Sequence, residues 1–341
     1  MEPSWYTRNL DTSKSLLLVL SIGLWVYWLW TRRHLYRFAF EFPGYLGTPI
    51  LGSFNRITGM KHLLPVFGRM FVECQRNTIC IWMGLYPALL TAEPDTVEKV
   101  LSSPDLLNKA RVMYTPLQNV FGGGIVGSAV EDWHRNRKLI NPSFAHKVLV
   151  SFLPVFHKGT KMALLKLDSF VGTGERRIAE MLQRVSLGIS VETTMGKIMK
   201  EGDLVDEDLA EKYCFMMEKT SLQILLSFLY LDGSFGLYKR FKQTKKYLHS
   251  FVNQLIIKKL DRLTECMTNS KPEPENLTQE DVVTIKKMPN IFIDQAIQLY
   301  QTQQLSWNDI IAESNTIVAA SFETTANSVF STIVMLAMHP E

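Results

Sequence analysis

The sequence predicts a mainly α-helical protein with one small, early β-sheet and a single N-terminal transmembrane helix. Three stretches carry that prediction. Leu305 to Met338 contains neither Gly nor Pro, and at helical rise it would run about 50 Å. Ser15 to Trp30 carries no charge and has the composition of a membrane span. Thr78 to Ala92 reads as two short strands around Gly84 and Pro87, and beyond residue 95 the pattern is helical.

Composition narrows the function classes. At 341 residues, 46% apolar and 21% charged, the chain is globular in make-up and long enough for one to three domains. A net charge of +4 gives no basis for a nucleic-acid partner, and no zinc-finger or RNA-binding signature is present. The four cysteines, Cys74, Cys80, Cys214 and Cys266, show no C-x-x-C spacing. Neither a zinc site nor a disulfide framework is indicated, which suits a reducing compartment.

Ser15 to Trp30 is slightly shorter than the usual span of about 20 residues, a length that a thin endoplasmic-reticulum bilayer accepts. Trp25, Tyr27, Trp28 and Trp30 crowd its C-terminal end, where an aromatic belt belongs. Arg32, Arg33 and Arg37 follow, whereas Glu2, Arg8, Asp11 and Lys14 cancel before it, so the positive-inside rule leaves the body in the cytosol. A cleaved signal peptide is the alternative. It would need small residues where the aromatic cluster stands. Residues 1–33 are therefore read as a signal anchor and 34–53 as a hinge, stiffened by Pro43 and Pro49 among glycines. Residues 54–341 form the body.

Within the body, Phe121 to Gly127 formally matches G-x-G-x-x-G. No strand precedes it, and Lys147 stands where a dinucleotide site needs an acid. A flexible loop is expected, and a nicotinamide dehydrogenase fails on context. Ser128 and Glu131 have the spacing of a capping box. The helix they would open carries Trp133 and Arg137 and stops at Asn141-Pro142. Four residues apart, Trp133 and Arg137 are neighbours on one face, where an indole N–H and a guanidinium could clamp a carboxylate. An ordinary basic surface helix is the other reading. Ile178 to Lys200 reads as an apolar helix containing Glu192-Thr193-Thr194-Met195-Gly196. Lys239 to Arg262 alternates apolar and basic residues, as a solvated helix or an interfacial membrane helix would. Thr268 to Asn290 is a polar, proline-bearing linker with a glycosylation sequon at Asn276, which the topology would leave bare.

The long helix has an unusual centre. Ala319 and Ala320 give way to Ser321-Phe322-Glu323-Thr324-Thr325 before apolar residues resume. Ser306 and Asp309 can cap its start. A buried carboxylate there needs partners, and burial would raise the pKa of Glu323 and ready it for proton exchange. The alternative is a solvated stripe through Ser314, Ser321, Thr325, Ser328 and Thr332. Ser and Thr can also bond back to the backbone.

Taken in order, these pieces resemble the cytochrome P450 family of membrane-anchored haem-thiolate monooxygenases, above all its insect microsomal members. The resemblance rests on the anchor with its Pro43/Pro49 hinge and on Trp133-His134-Arg135-Asn136-Arg137 running to Asn141-Pro142-Ser143-Phe144. It rests also on the Glu192-to-Gly196 turn and the Ala320-to-Thr325 helix centre. It implies an α-rich P450 fold and a haem b (iron protoporphyrin) lying against the long helix, next to Ala320 and Ser321. Trp133 and Arg137 would bind its propionates. Glu323 and Thr324 would be the catalytic acid–alcohol pair that relays protons for O–O cleavage. The loop from Phe121 to Val126 would border the pocket. The activity implied is insertion of one atom of O2 into an apolar small-molecule substrate, with electrons from NADPH-cytochrome P450 reductase at the endoplasmic-reticulum membrane.

The resemblance has departures. Ser321 stands where the family usually has Gly, and Ala320 where some relatives carry a haem-esterifying Glu. None of the four cysteines has Gly four residues before it, as the family's iron-ligating loop requires, so no metal ligand is assigned. Glu73-Cys74-Gln75-Arg76 matches the family's Glu-x-x-Arg by letters only. On this reading residues 54–341 are the first two-thirds of a catalytic domain, expected to be inactive alone and to expose apolar surface along the long helix. A membrane-tethered helical binding or scaffold protein without haem is the rival reading.

Overall fold

The computed structural model describes residues 4–48, 51–56, 63–198, 204–228, 238–268 and 290–339. They belong to two compact units, Met1–Leu106 and Leu107–Glu341.

The first unit begins with α1 (Ser4–Thr31), whose segment Lys14–Thr31 is long and apolar enough to cross a membrane. Trp25, Tyr27 and Trp30 of the aromatic cluster are exposed. Trp28 instead turns inward: Arg32 lies 4.2 Å from its ring centre, and Tyr36 of α2 (Arg33–Phe40) stacks on Trp82 at 5.4 Å. The sheet has the order β1 (Gly44–Tyr45), β2 (Thr78–Met83), β3 (Tyr86–Thr91). Its β2–β3 hairpin is antiparallel, as the sequence predicts, while β1 pairs parallel to β2 inside the segment read as a connector. Only glycine fits that pairing, because a Cβ on Gly44 would stand 1.8 Å from the Cys80 carbonyl oxygen. Val66 and Met70 of α3 (Leu63–Cys74) pack on Ile79 and Ile81 to form this unit's core. The unit closes with α4 (Pro94–Ser102).

Among its described residues the second unit has helices and connecting loops but no strand: α5 (Arg111–Phe121), the single turn α6 (Gly124–Gly127), α7 (Val130–Ile140), α8 (His146–Ser151), α9 (Leu153–Asp168) and α10 (Ile178–Met195). It continues through α11 (Glu207–Ser227), α12 (Lys239–Thr268), α13 (Phe292–Gln301) and α14 (Trp307–Met338). The long stretch is thus one helix, opened by the expected capping box: Ser306 Oγ accepts from the Asp309 N–H at 3.1 Å, and Asp309 Oδ2 from the Ser306 N–H at 2.9 Å.

Ile310, Val318 and Phe322 of α14 lie fully buried within the main core. Small residues let α10 come alongside, where Ser186 Oγ donates to the Phe322 carbonyl at 2.8 Å and Ser190 bonds to Ser321. The apolar face of α12, Phe241, Leu248, Val252 and Ile256, is buried in the same core. That occupation decides for the solvated helix and against the interfacial one. Beyond Ala326, Phe330 and Ile333 stay half-buried against Met181, Leu182 and Val185 of α10, while Val329, Val334 and Met335 are exposed and Leu336 and Met338 are each exposed to 66%.

Two local expectations fail. Ser128 does not cap α7: the helix starts at Val130 behind Ala129, and the buried Ser128 hydroxyl has no hydrogen-bond partner among the described residues. The apolar helix at 178 ends at Met195, where Gly196 takes a left-handed φ of 66°, rather than reaching Lys200. The sequon at Asn276 and most of the 268–290 linker lie outside the described residues.

Candidate functional site

Two elements hold the predicted site residues: α7 and the middle of α14. Arg137 is exposed, Trp133 is half-buried, and neither takes part in an ion pair or hydrogen bond among the described residues. Trp133 meets His134 edge-on at 4.7 Å. Arg135, by contrast, is engaged with Asp132 at 3.3 Å and with Asn136 Oδ1 at 3.1 Å. The end of α7 is tied down by Gln295, whose Nε2 donates to the Leu139 carbonyl at 2.7 Å and whose Oε1 accepts from Ser143 at 3.2 Å. The helix is anchored, and its indole and guanidinium are left available.

On α14, Ala320 and Thr324 share one exposed face. The Thr324 hydroxyl donates to the Ala320 carbonyl at 2.9 Å. Thr325, Ser328 and Thr332 make the same bond four residues back, so the predicted back-bonding is present along this helix. Ser321 is turned toward α10, its hydroxyl engaged by Ser190 and by the Ile317 carbonyl at 2.8 Å. It therefore points its polarity away from the Ala320–Thr324 face. Ser314 is fully buried, so the run from Ser314 to Thr332 is not one solvated stripe.

Glu323 follows a different direction, about 100° around the helix from Thr324. Its carboxyl is half-buried, and burial raises its pKa. It lies toward α11, where its charge adds to burial in pushing the Cys214 thiol up to about 11. A cavity of about 640 Å³ opens there, lined by Lys166, Gln183, Arg184, Glu207 and Cys214. Acid and alcohol are therefore adjacent in the chain but face different surroundings.

The fully buried acid is Glu313, which the sequence reading passed over. Its Oε1 accepts from Asn136 Nδ2 and its Oε2 from the Ile125 N–H, both at 2.9 Å. Thus the glycine-rich stretch is no free loop. Gly124 to Gly127 is a helical turn packed so closely that a Cβ on Gly124 would stand 2.2 Å from Thr316 Oγ1. Nothing at position 313 itself signals this, since the partners lie 188 and 177 residues away in sequence.

A sequence model of the family described as cytochrome P450 matches residues 43–341. This chain belongs to the cytochrome P450 family. It is 30% identical over 328 residues to a probable cytochrome P450 313a3 of Drosophila melanogaster, covering 96% of this chain and 64% of that relative. Identity to probable cytochrome P450 313a4 of the same fly is 32% over 324 residues, covering 93% and 62%. To cytochrome P450 4c3, also from that fly, it is 28% over 326 residues, covering 91% and 59%. The chain thus spans about 64% of the length of the first of these curated relatives.

Proposed function

We propose that the chain is the haem-cradling part of a monooxygenase that inserts one atom of O2 into an apolar small molecule. The observation that carries this reading is the pair Trp133 and Arg137, one turn apart on an anchored helix and without ion-pair partners among the described residues. An indole N–H and a planar guanidinium suit the two carboxylates of haem b. The exposed Ala320–Thr324 face, small in side chain, suits a flat porphyrin lying against it.

When bound, the haem supplies the oxidation chemistry, and the protein orients and tunes. In this proposal Trp133 and Arg137 hold the propionates, while Ala320 keeps the helix face low. Thr324 Oγ1, both donor and acceptor, steers a proton or an ordered water. Glu323, its pKa raised by burial, takes protons up from the α10–α11 side and hands them on. Thr324 and Glu323 would then act in series rather than as one contact pair. Electrons would come from an NADPH-linked reductase. Residues 1–33 would anchor the body to the endoplasmic-reticulum membrane with residues 54–341 facing the cytosol, joined by the hinge of residues 34–53.

Titration of the purified chain with haemin, followed in the Soret band, tests the reading. Arg137→Ala should weaken binding several-fold, and Trp133→Phe should weaken it less. Identical titrations for all three proteins would remove the propionate role and favour a tethered binding protein without haem.

A further inference from the structure

One buried acid, outside the chemistry proposed above, joins the glycine-rich turn and α7 to the long helix. Glu313 has no exposed surface and sits two turns before Ala320 on the same side of α14. Each carboxyl oxygen receives one hydrogen bond, from the Ile125 N–H of the turn and from Asn136 Nδ2 of α7. The turn's carbonyls are held as well: Lys109 Nζ donates to those of Ile125 and Val126 at 2.8 Å each, and Gln118 Nε2 to that of Gly127. Asn136 lies on α7 between Trp133 and Arg137. Among the described residues, no other side-chain hydrogen bond links α7 to α14.

A buried carboxyl is costly even when bonded, and an apolar side chain of similar size would often serve stability as well. What the acid provides is direction. Two hydrogen bonds to donors on separate elements set distances and angles that apolar packing leaves loose. We propose that Glu313 is a positioning residue, whose carboxyl clasps the Gly122–Gly127 turn and α7 onto α14 and so sets where Trp133 and Arg137 stand. The consequence for haem rests on the reading in the previous subsection; the clasp itself does not.

The test compares the chain with Glu313→Ala, Glu313→Gln and Arg137→Ala, measuring backbone hydrogen exchange and haemin binding on the same samples. In Glu313→Ala, exchange over residues 122–140 should rise at least about tenfold while α10 stays as in the parent, and haemin affinity should fall several-fold. Glu313→Gln keeps one acceptor oxygen and should recover part of both. Unchanged exchange over 122–140 in Glu313→Ala overturns the clasp. So does an equal rise over α10, which would mean that the acid merely holds the unit folded. Should exchange rise locally while Arg137→Ala binds haemin like the parent, the clasp stands and the propionate reading falls.

Discussion

Glu313 and Glu323 are ten residues apart on one helix, yet their surroundings assign them different work. Burial outweighs the two donors at Glu313 and holds its carboxyl above the ordinary range. Lys109 opposes that shift and Asp309 adds to it. An acid whose folded pKa exceeds its unfolded one favours folding fully at pH below the unfolded value. That contribution is lost as pH rises through the folded value. Urea denaturation at several pH values should therefore show stability declining across that window, and Glu313→Gln should flatten the decline. A slope that survives the substitution would assign it to other groups. For Glu323 and Thr324 the expected effect is on coupling. On the monooxygenase reading, in a preparation that turns over substrate, Glu323→Gln or Thr324→Ala should leave oxygen consumption running while product falls several-fold. Unchanged product per oxygen would count against proton delivery through them.

At the scale of elements, what the sequence made legible is periodic or local. The long helix needed only the absence of Gly and Pro plus the Ser306–Asp309 cap, both readable within one stretch. The β2–β3 hairpin was equally local. β1 was not, because two residues become a strand only when β2 offers them an edge. Ser128 and Glu131 have the right spacing for a cap, but the preceding turn α6 holds Ser128 one residue too early for α7. That turn also explains its glycines. Gly124 combines a φ of 51° with contact against Thr316, so Gly124→Ala should destabilise the second unit by about 1–3 kcal/mol. A chemical-denaturation midpoint equal to the parent's would show that the turn relaxes freely.

For the molecule as a whole, the membrane reading rests on α1, an apolar helix none of whose residues from Lys14 to Thr31 is buried. Expressed in eukaryotic cells, the chain should stay with membranes through alkaline carbonate extraction, and a form lacking residues 1–33 should be released. Asn276 should carry no glycan if the body faces the cytosol. A glycosidase-sensitive shift in mobility would reverse that topology. The apolar C-terminal turns of α14 remain exposed beside a well-buried N-terminal half. Solubility of the 1–33 deletion form is thus expected to depend on detergent.

The sequence by itself determined the class: a helix-rich member of the P450 family with one apolar N-terminal helix, Glu323 and Thr324 midway along a long helix, and Trp133 and Arg137 together on a helix earlier in the chain. Those features repeat at 3.6-residue spacing or sit within a few neighbours, so one stretch suffices to read them. Only the tertiary structure decided that Ser321 faces α10, that Glu323 and Thr324 look in different directions, and that Glu313 is the sealed carboxylate. Burial and hydrogen-bond partners are properties of a side chain's surroundings. For Glu313 those surroundings come from segments more than half the chain away.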